Sequence, residues 1–224
     1  MRFHYRISWK FLRFVERLLF GMRIYGDDKV PRAGGVIIAS NHVSYNDPPM
    51  VGSAVPRELH FLAKEELFAN PVFAALIRSY NAIPVKRATG DVGALKKAVG
   101  LLKEGKAMIM FPEGTRSLSG RFLKPKPGVG MIASMADVPV VPTYVAGTNN
   151  LGAAFTRKRP LVIRFGEPVI PAEIRSRSGS DKEAYMAISA EAMKRIKELA
   201  EEENRGKDSR EEDSKEREDG SKTV

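Results

Sequence analysis

The sequence predicts one α/β domain built on a mixed, largely parallel sheet. Short apolar runs typical of buried strands alternate with helical segments from Pro31 to about residue 200. The chain has 224 residues, of which 43% are hydrophobic, and this is enough for one sizeable core. Polar motifs directly follow two of the apolar runs, and ligands of α/β sheets bind beyond the carboxyl ends of strands. We therefore expect a functional site at one edge of the sheet.

Residues 1–26 predict an amphipathic helix that lies in a membrane interface. The segment contains six basic residues and one acidic residue. Its polar positions recur at helical spacing and are Lys10, Arg13, Glu16 and Arg17. The opposite stripe is apolar and consists of Phe11, Leu12, Val15, Leu18, Leu19 and Met22. Charges interrupt the segment too often for a spanning helix or a signal peptide. The alternative is an ordinary helix packed on the core.

Residues 27–200 form the predicted folded body. The predicted strands lie at 35–40, 59–63, 82–85, 107–111, 138–145 and 161–165. The predicted helices cover 48–55, parts of 65–79, 91–103, 128–136 and 181–200. Pro139 and Pro142 interrupt the strand at 138–145, and proline cannot donate to a sheet ladder. We therefore expect this strand at an edge or in an irregular position.

Charge divides the chain into a basic body and an acidic tail. Residues 201–224 hold ten acidic and six basic residues, a net charge of −4, and nearly no apolar ones, so we predict a disordered tail. The whole chain carries +10, so residues 1–200 carry +14. A folded body with this positive charge predicts an anionic partner, which could be a membrane surface, a phosphorylated small molecule or a nucleic acid. Nucleic acid ranks last, because the sequence has no recognition-helix motif or regular set of stacking aromatics.

The residue inventory removes several kinds of chemistry. The chain has no cysteine, which excludes disulfides, thiolate nucleophiles and cysteine metal sites. Its three histidines are His4, His42 and His60, too few and too scattered for a multi-histidine metal site. We therefore predict no metal and no bound cofactor.

His42 and Asp47 are the first candidate catalytic pair. They lie in the segment Asn41–Asp47, directly after the apolar run at 35–40. Pro48 and Pro49 follow Asp47, a pattern typical of a helix start with Asp47 at the cap. A carboxylate that accepts one imidazole N–H leaves the other nitrogen aimed and basic, as general-base catalysis requires. An isolated His–Asp pair is more often an ordinary turn, so the hypothesis depends on other motifs.

A second polar motif, Phe111–Ser117, follows the apolar run at 107–111. Gly114 permits a tight turn, Thr115 offers a hydroxyl, and Arg116 offers a planar guanidinium suited to phosphate. Two adjacent cations, Lys86 and Arg87, follow the short strand at 82–85. Each segment alone is compatible with an ordinary loop or a solvated surface.

Four blocks together resemble the 1-acylglycerol-3-phosphate acyltransferases, a family of glycerolipid acyltransferases. Its Asn-His-x-x-x-x-Asp block is matched by Asn41, His42 and Asp47, and its Phe-Pro-Glu-Gly-Thr-Arg block by residues 111–116. Its Ile-Pro-Val-x-Arg block is matched by residues 83–87, and its Val-Pro block loosely by residues 141–142. The blocks keep the family's order. Asn81 stands where the family more often has glycine.

The resemblance implies an O-acyltransferase of phospholipid biosynthesis. Such an enzyme moves a fatty acyl group from acyl-coenzyme A or acyl-carrier protein to the free hydroxyl of 1-acylglycerol-3-phosphate and forms phosphatidic acid. It implies His42 as the catalytic base, oriented by Asp47. The substrate-binding residues that it implies are Lys86, Arg87, Glu113, Gly114, Thr115 and Arg116.

The resemblance also implies a membrane lipid as acceptor, and with it an anionic membrane surface as partner. We expect a peripheral or monotopic protein at the cytoplasmic face of the cell membrane, without a spanning helix. Further cations could meet an anionic donor, and these are Arg157, Lys158, Arg159 and Arg164. Two alternatives stay open: an acyltransferase for another lysophospholipid, and a non-catalytic protein that binds membranes peripherally.

Overall fold

The structure is a computed structural model that describes residues 1–86, 91–156 and 160–220, with side chains up to residue 206. Its seven strands are β1 Arg23–Tyr25, β2 Val36–Ser40, β3 Leu59–Lys64, β4 Ala82–Val85, β5 Ala107–Met110, β6 Val140–Ala146 and β7 Val162–Phe165. Its eight α-helices are α1 Phe3–Phe20, α2 Asp47–Ala54, α3 Pro71–Ser79, α4 Val92–Lys103, α5 Gly128–Ala136, α6 Leu151–Phe155, α7 Pro171–Arg175 and α8 Asp181–Gly220. Two 3-10 turns cover Asp27–Lys29 and Glu65–Phe68.

The seven strands form one sheet in the order β1-β7-β6-β2-β5-β3-β4. Strands β6 and β7 are antiparallel, and the other neighbouring pairs are parallel. The predicted α/β fold with a mixed, largely parallel sheet is therefore confirmed.

Helices cover both faces of the sheet, and the central strand β2 shows why. Its five residues are all buried, and alternate side chains point to opposite faces. Ile38 belongs to the core beneath α2 and the end of α1, whereas Ile37 belongs to the core beneath α4, α5 and α8. A strand that is buried on both faces is mostly apolar, and four of the five residues of β2 are apolar, with Ser40 at its end as the exception.

Of the two positions predicted for the proline-containing strand, the edge is excluded, because β6 lies between β7 and β2. Pro142 pairs with Ala39 of β2, while its carbonyl accepts a hydrogen bond from Gly166 on the β7 side. The amide position of Pro142 points to that same side, where the ladder with β7 begins only at Thr143. The proline nitrogen cannot donate toward β7, so Pro142 occupies an irregular position of an interior strand.

Several elements differ from the predictions. Helices α6 and α7 and strand β1 were not predicted, because each has only three to five residues and none shows a readable period. Helix α8 continues past residue 200 to Gly220, where glutamate, lysine and arginine favour helix. Glu203 is fully buried and pairs with Arg164 at 2.8 Å, so the folded body extends beyond the predicted boundary at residue 200. Residues 221–224 of the predicted tail lie outside the described part of the chain.

Helix α1 packs against the body along one face and exposes a second apolar face. Two polar groups dock the packed face: the Tyr5 hydroxyl accepts from the Leu59 amide, and the Trp9 indole donates to the Val55 carbonyl at 2.9 Å. The exposed face is a stripe of large apolar side chains, namely Phe3, Ile7, Phe11, Phe14 and Leu18. Among the described helices, we find none that is both long and apolar enough to cross a membrane.

Glu16 is not on the polar face of α1 as predicted, because it is fully buried against α2. The Ser53 hydroxyl donates a hydrogen bond to one carboxylate oxygen of Glu16, while the other oxygen has no partner among the described residues. Burial raises the pKa of Glu16 to about 7, although Ser53 and the nearby Arg13 favour the ionised form. The interface between α1 and α2 therefore contains a group that titrates near neutral pH.

We expect Glu16 to make the stability of the fold depend on pH. Its ordinary pKa is 4.5, so its contribution to the free energy of unfolding is complete below pH 4.5 and is lost as pH rises to about 7. At pH 8 Glu16→Gln should therefore be more stable than the wild type by about 3 kcal/mol, since the pKa rises from 4.5 to about 7 and each pKa unit corresponds to about 1.4 kcal/mol. Urea unfolding of both proteins at pH 5 and pH 8 measures this difference. The exposed Glu198→Gln is the control, and an identical pH dependence of wild type and Glu16→Gln would contradict the assignment.

Candidate functional site

The candidate site lies where the loops after three neighbouring strands meet. Strand β2 pairs in parallel with both β5 and β6, so the carboxyl ends of all three reach the same edge of the sheet. His42 follows β2, the segment 111–117 follows β5, and Thr148 follows β6. Residues far apart in the sequence therefore meet here.

His42 and Asp47 form the predicted pair. Nδ1 of His42 lies 2.8 Å from Oδ2 of Asp47, and both side chains are largely buried. The same Oδ2 accepts from the backbone amides of Val43 and Ser44, each at 2.8 Å. Because this oxygen acts as an acceptor throughout, Nδ1 of His42 carries the proton and Nε2 is the basic nitrogen.

The structure corrects the local role of Asp47 and adds a residue that the sequence analysis missed. Asn46, not Asp47, is the N-cap of α2, and Asp47 occupies the first helical position with its carboxylate turned back into the loop. Its second oxygen accepts from the Thr148 hydroxyl at 2.5 Å. Asp47 thus takes donors from two loops, which fixes it against rotation. Thr148 could have been found from the sequence only by inspecting the residues that follow β6.

Phe111 and Glu113 hold His42 from the β5 side. The Phe111 ring stacks on the imidazole at a centroid distance of 3.9 Å and an angle of 18°. The buried Glu113 accepts from the His42 amide at 3.0 Å through one oxygen and from the Leu123 amide at 2.9 Å through the other. Glu113 is predicted to bind the acceptor, but both of its oxygens are occupied by the backbone. Its structural role is to join the loops after β2 and β5.

The rest of the second motif forms the wall of the site. Gly114 has φ +67°, in the left-handed region that favours glycine. Thr115 and Arg116 line a cavity that also contains His42. The guanidinium carbon of Arg116 lies 3.5 Å from the centroid of the Tyr45 ring.

Of the two cations predicted to bind substrate after β4, the structure describes only Lys86. The ammonium of Lys86 lies 3.7 Å from a carboxylate oxygen of Glu65, and both side chains are exposed. Lys86 is not among the described residues of the cavity lining, whereas Lys64 at the end of β3 is. Arg87 lies outside the described residues. Asn81 has φ +68°, which explains why its position favours glycine.

Four cations were predicted to meet an anionic acyl donor, and the structure describes only one of them, Arg164. The surroundings of Arg164 do not support that role. Arg164 pairs with Glu203 at 2.8 Å and stacks on the Tyr25 ring at 4.0 Å, so its charge is already compensated. Arg157, Lys158 and Arg159 lie outside the described part of the chain.

The cavity beside His42 has a volume of about 910 Å³ and a mostly apolar wall. It extends from His42 toward the space between α1 and α3, and its distal lining includes Trp9, Leu12, Phe73 and Leu76. An apolar space of this size can hold the alkyl chain of a ligand. The imidazole of His42 and the guanidinium of Arg116 at one end could then meet a polar group of the same ligand, and the imidazole could exchange a proton with it.

A sequence model of the acyltransferase family matches residues 21–146. The 1-acyl-sn-glycerol-3-phosphate acyltransferase of Bacillus subtilis is 30% identical over 196 residues, covering 87% of this chain and 96% of that protein. The lyso-ornithine lipid O-acyltransferase of Rhizobium meliloti is 31% identical over 150 residues, or 63% of this chain and 48% of that protein. The crystal structure of the 1-acyl-sn-glycerophosphate acyltransferase PlsC from Thermotoga maritima superposes with a TM-score of 0.65 at 28% identity, covering 89% and 84% of the two chains.

Proposed function

Because this chain belongs to the acyltransferase family, we propose that it transfers a fatty acyl group from a thioester to the free hydroxyl of 1-acylglycerol-3-phosphate. The observation that carries the proposal is the His42–Asp47 pair beside an apolar cavity. The product would be phosphatidic acid, and the donor acyl-coenzyme A or acyl-carrier protein.

In the proposed reaction His42 acts first as a base and then as an acid. Nε2 takes the proton of the acceptor hydroxyl while that oxygen attacks the thioester carbonyl carbon and forms the new C–O bond. Asp47 stabilises the resulting imidazolium through Nδ1. The tetrahedral intermediate then collapses, the C–S bond breaks, and the imidazolium returns its proton to the departing thiolate. An ester and a thiol result, and no protein nucleophile or cofactor is needed.

Arg116 is the proposed partner of the acceptor's phosphate. Its guanidinium lies in the lining of the cavity that contains His42, and a planar guanidinium can donate two parallel hydrogen bonds to a phosphate. Lys64, from the same cavity lining, would add a second positive charge. The phosphate roles of Arg87 and Lys86 stay predictions from the resemblance.

Another lysolipid as acceptor is the second candidate function. The similarity to the Rhizobium meliloti enzyme, whose name assigns it to lyso-ornithine lipid, is the observation that favours it. Such an acceptor offers a hydroxyl to His42 but presents no phosphate to Arg116. Replacement of Arg116 should therefore matter little if the acceptor lacks phosphate, which separates the two candidates.

We also propose that the apolar stripe of α1 contacts the cytoplasmic surface of the membrane. Phe11 of the stripe lines the cavity together with Phe73 and Leu76 of α3, which are also exposed. Arg6, Lys10 and Arg17 of α1 are also exposed and would meet anionic lipid head groups. A lysolipid could then enter the cavity from the bilayer.

We expect Phe11→Asp combined with Phe14→Asp to weaken binding to anionic liposomes by at least tenfold, because both side chains are exposed on the stripe. Substitution is preferable to deletion, since α1 also covers the cavity. Met186→Asp is the matched control: Met186 is exposed on α8, which covers the opposite face of the sheet. Co-sedimentation with liposomes measures the effect, and undiminished binding of the double variant would place the membrane contact elsewhere.

An acceptor-by-donor panel tests the proposed function. Purified protein is supplied with lysophosphatidic acid, lysophosphatidylglycerol or lyso-ornithine lipid, each with acyl-coenzyme A and with acyl-carrier protein. We expect the highest kcat/KM with lysophosphatidic acid, with phosphatidic acid as product. Preference for lyso-ornithine lipid would favour the second candidate, and no acylation of any acceptor would contradict both.

A further inference from the structure

Tyr45 links the two motifs of the proposed site. It lies in the loop between His42 and Asp47, and 71% of its surface is exposed. The guanidinium carbon of Arg116 lies 3.5 Å from the centroid of its ring, and both residues line the cavity that contains His42. At this distance a guanidinium is in face contact with the ring and is attracted by it.

The hydrogen-bond donors of Arg116 are uncommitted in the part of the chain that the structure describes. Its guanidinium donates to no carboxylate, carbonyl or hydroxyl of the described residues, and its recorded contact is with the Tyr45 ring. Other arginines differ: Arg57 donates to the carbonyls of three residues, and Arg175 donates to Asp137 and to the Ser134 carbonyl. An aromatic face can hold a guanidinium without using any of its five N–H groups, which lie in the guanidinium plane.

We propose that Tyr45 is a positioning residue, which holds the Arg116 guanidinium flat so that its edge faces an incoming phosphomonoester. This inference rests on the proposed function, because Arg116 needs such a support only if it binds the acceptor's phosphate. The ring would restrict the rotation of a long side chain before the ligand arrives, so less conformational entropy is lost on binding. Tyr45 would therefore act on affinity for the phosphate and leave proton transfer at His42 unchanged.

The exposure of Tyr45 also permits a simpler role, in which the ring contacts lipid without acting on Arg116. Leucine separates the two roles, since Tyr45→Leu keeps an apolar side chain but removes the aromatic face. Tyr45→Phe keeps the face and removes only the hydroxyl. The matched control is Tyr25→Leu, because the Tyr25 ring lies 4.0 Å from the guanidinium of Arg164, which is already fixed by Glu203.

A double-mutant cycle in ligand affinity tests the proposal without requiring turnover. The ligand is monododecyl phosphate below its micelle concentration, and its Kd is measured by titration calorimetry with no acyl donor present. We expect Arg116→Ala to weaken binding roughly tenfold or more, through loss of charge-assisted hydrogen bonds. Tyr45→Leu should weaken it roughly three- to thirtyfold, the range of a cation–π contact, and Tyr45→Phe and Tyr25→Leu less than twofold.

The decisive result is the double variant. If Tyr45 acts through Arg116, Tyr45→Leu should have no further effect on Kd in the Arg116→Ala background. Additive effects, or a Tyr45→Leu variant with wild-type affinity, would overturn the positioning role. In turnover the same Tyr45→Leu variant should raise the KM for the acceptor while kcat and the KM for the donor stay within about twofold. These outcomes can be distinguished from a failure of the proposed function, which would appear as an absence of phosphatidic acid in the wild-type assay.

Discussion

His42→Ala should lower kcat for acyl transfer by about 10²–10⁴-fold while the fold survives. The variant loses the nitrogen that takes the acceptor's proton, and no other described histidine lies in the cavity lining. The loop should persist, because Asp47 still accepts from Val43, Ser44 and Thr148. Steady-state kinetics and a thermal unfolding scan measure the two properties separately.

His60→Ala is the matched control for this experiment. His60 is half-buried on β3, lies outside the lining of the cavity, and interacts with the Ala107 carbonyl at 3.3 Å. Its loss should leave kcat nearly unchanged. A His42→Ala protein that is folded and retains full activity would eliminate the general-base assignment.

Asp47→Asn should have the second-largest effect, a fall in kcat of roughly 10²-fold or more. The buried carboxylate orients His42 through Nδ1 and stabilises the positive charge that forms on the ring. Asparagine keeps the size and one acceptor oxygen but removes the negative charge, so proton transfer should suffer more than substrate binding. Kinetic assays should therefore show the loss in kcat, with the affinity for monododecyl phosphate nearly unchanged.

Thr148→Val distinguishes orientation from charge in this assignment. It removes the hydroxyl that donates to the second oxygen of Asp47 but leaves the carboxylate charged. We expect a loss in kcat of less than tenfold. Equal losses for Thr148→Val and Asp47→Asn would show that orientation, and not charge, dominates; wild-type kcat in Asp47→Asn would contradict the role of Asp47 altogether.

Much of the fold could be predicted because its signals are local. The apolar run of β2 and the helix start marked by Pro48 and Pro49 depend on neighbouring residues alone. The order of the strands is not local, since β2 lies between β5 and β6, which come much later in the chain. Thr148 could not be assigned to Asp47 without that order.

Side-chain environments were harder to predict than elements. Helical periodicity placed Glu16 on the polar face of α1, but the helix packs with that position toward Ser53. Similarly, Glu113 belongs to the block at residues 111–116 from which substrate binding was predicted, but only the structure shows that both of its oxygens accept hydrogen bonds from backbone amides. The stacking of Arg116 on Tyr45 has no sequence signal at all, because the two residues are 71 positions apart and belong to different motifs.

In the proposed reaction His42 is the base for the direct transfer of an acyl group from a thioester to a lysolipid hydroxyl. The most direct measurement follows thiol release and phosphatidic acid formation together, using purified protein, lysophosphatidic acid and acyl-coenzyme A or acyl-carrier protein. We expect the two products to form in equal amounts, thiol release to depend on the acceptor, and both to be lost in His42→Ala. Thiol release without phosphatidic acid, or equal product formation by His42→Ala, would contradict it.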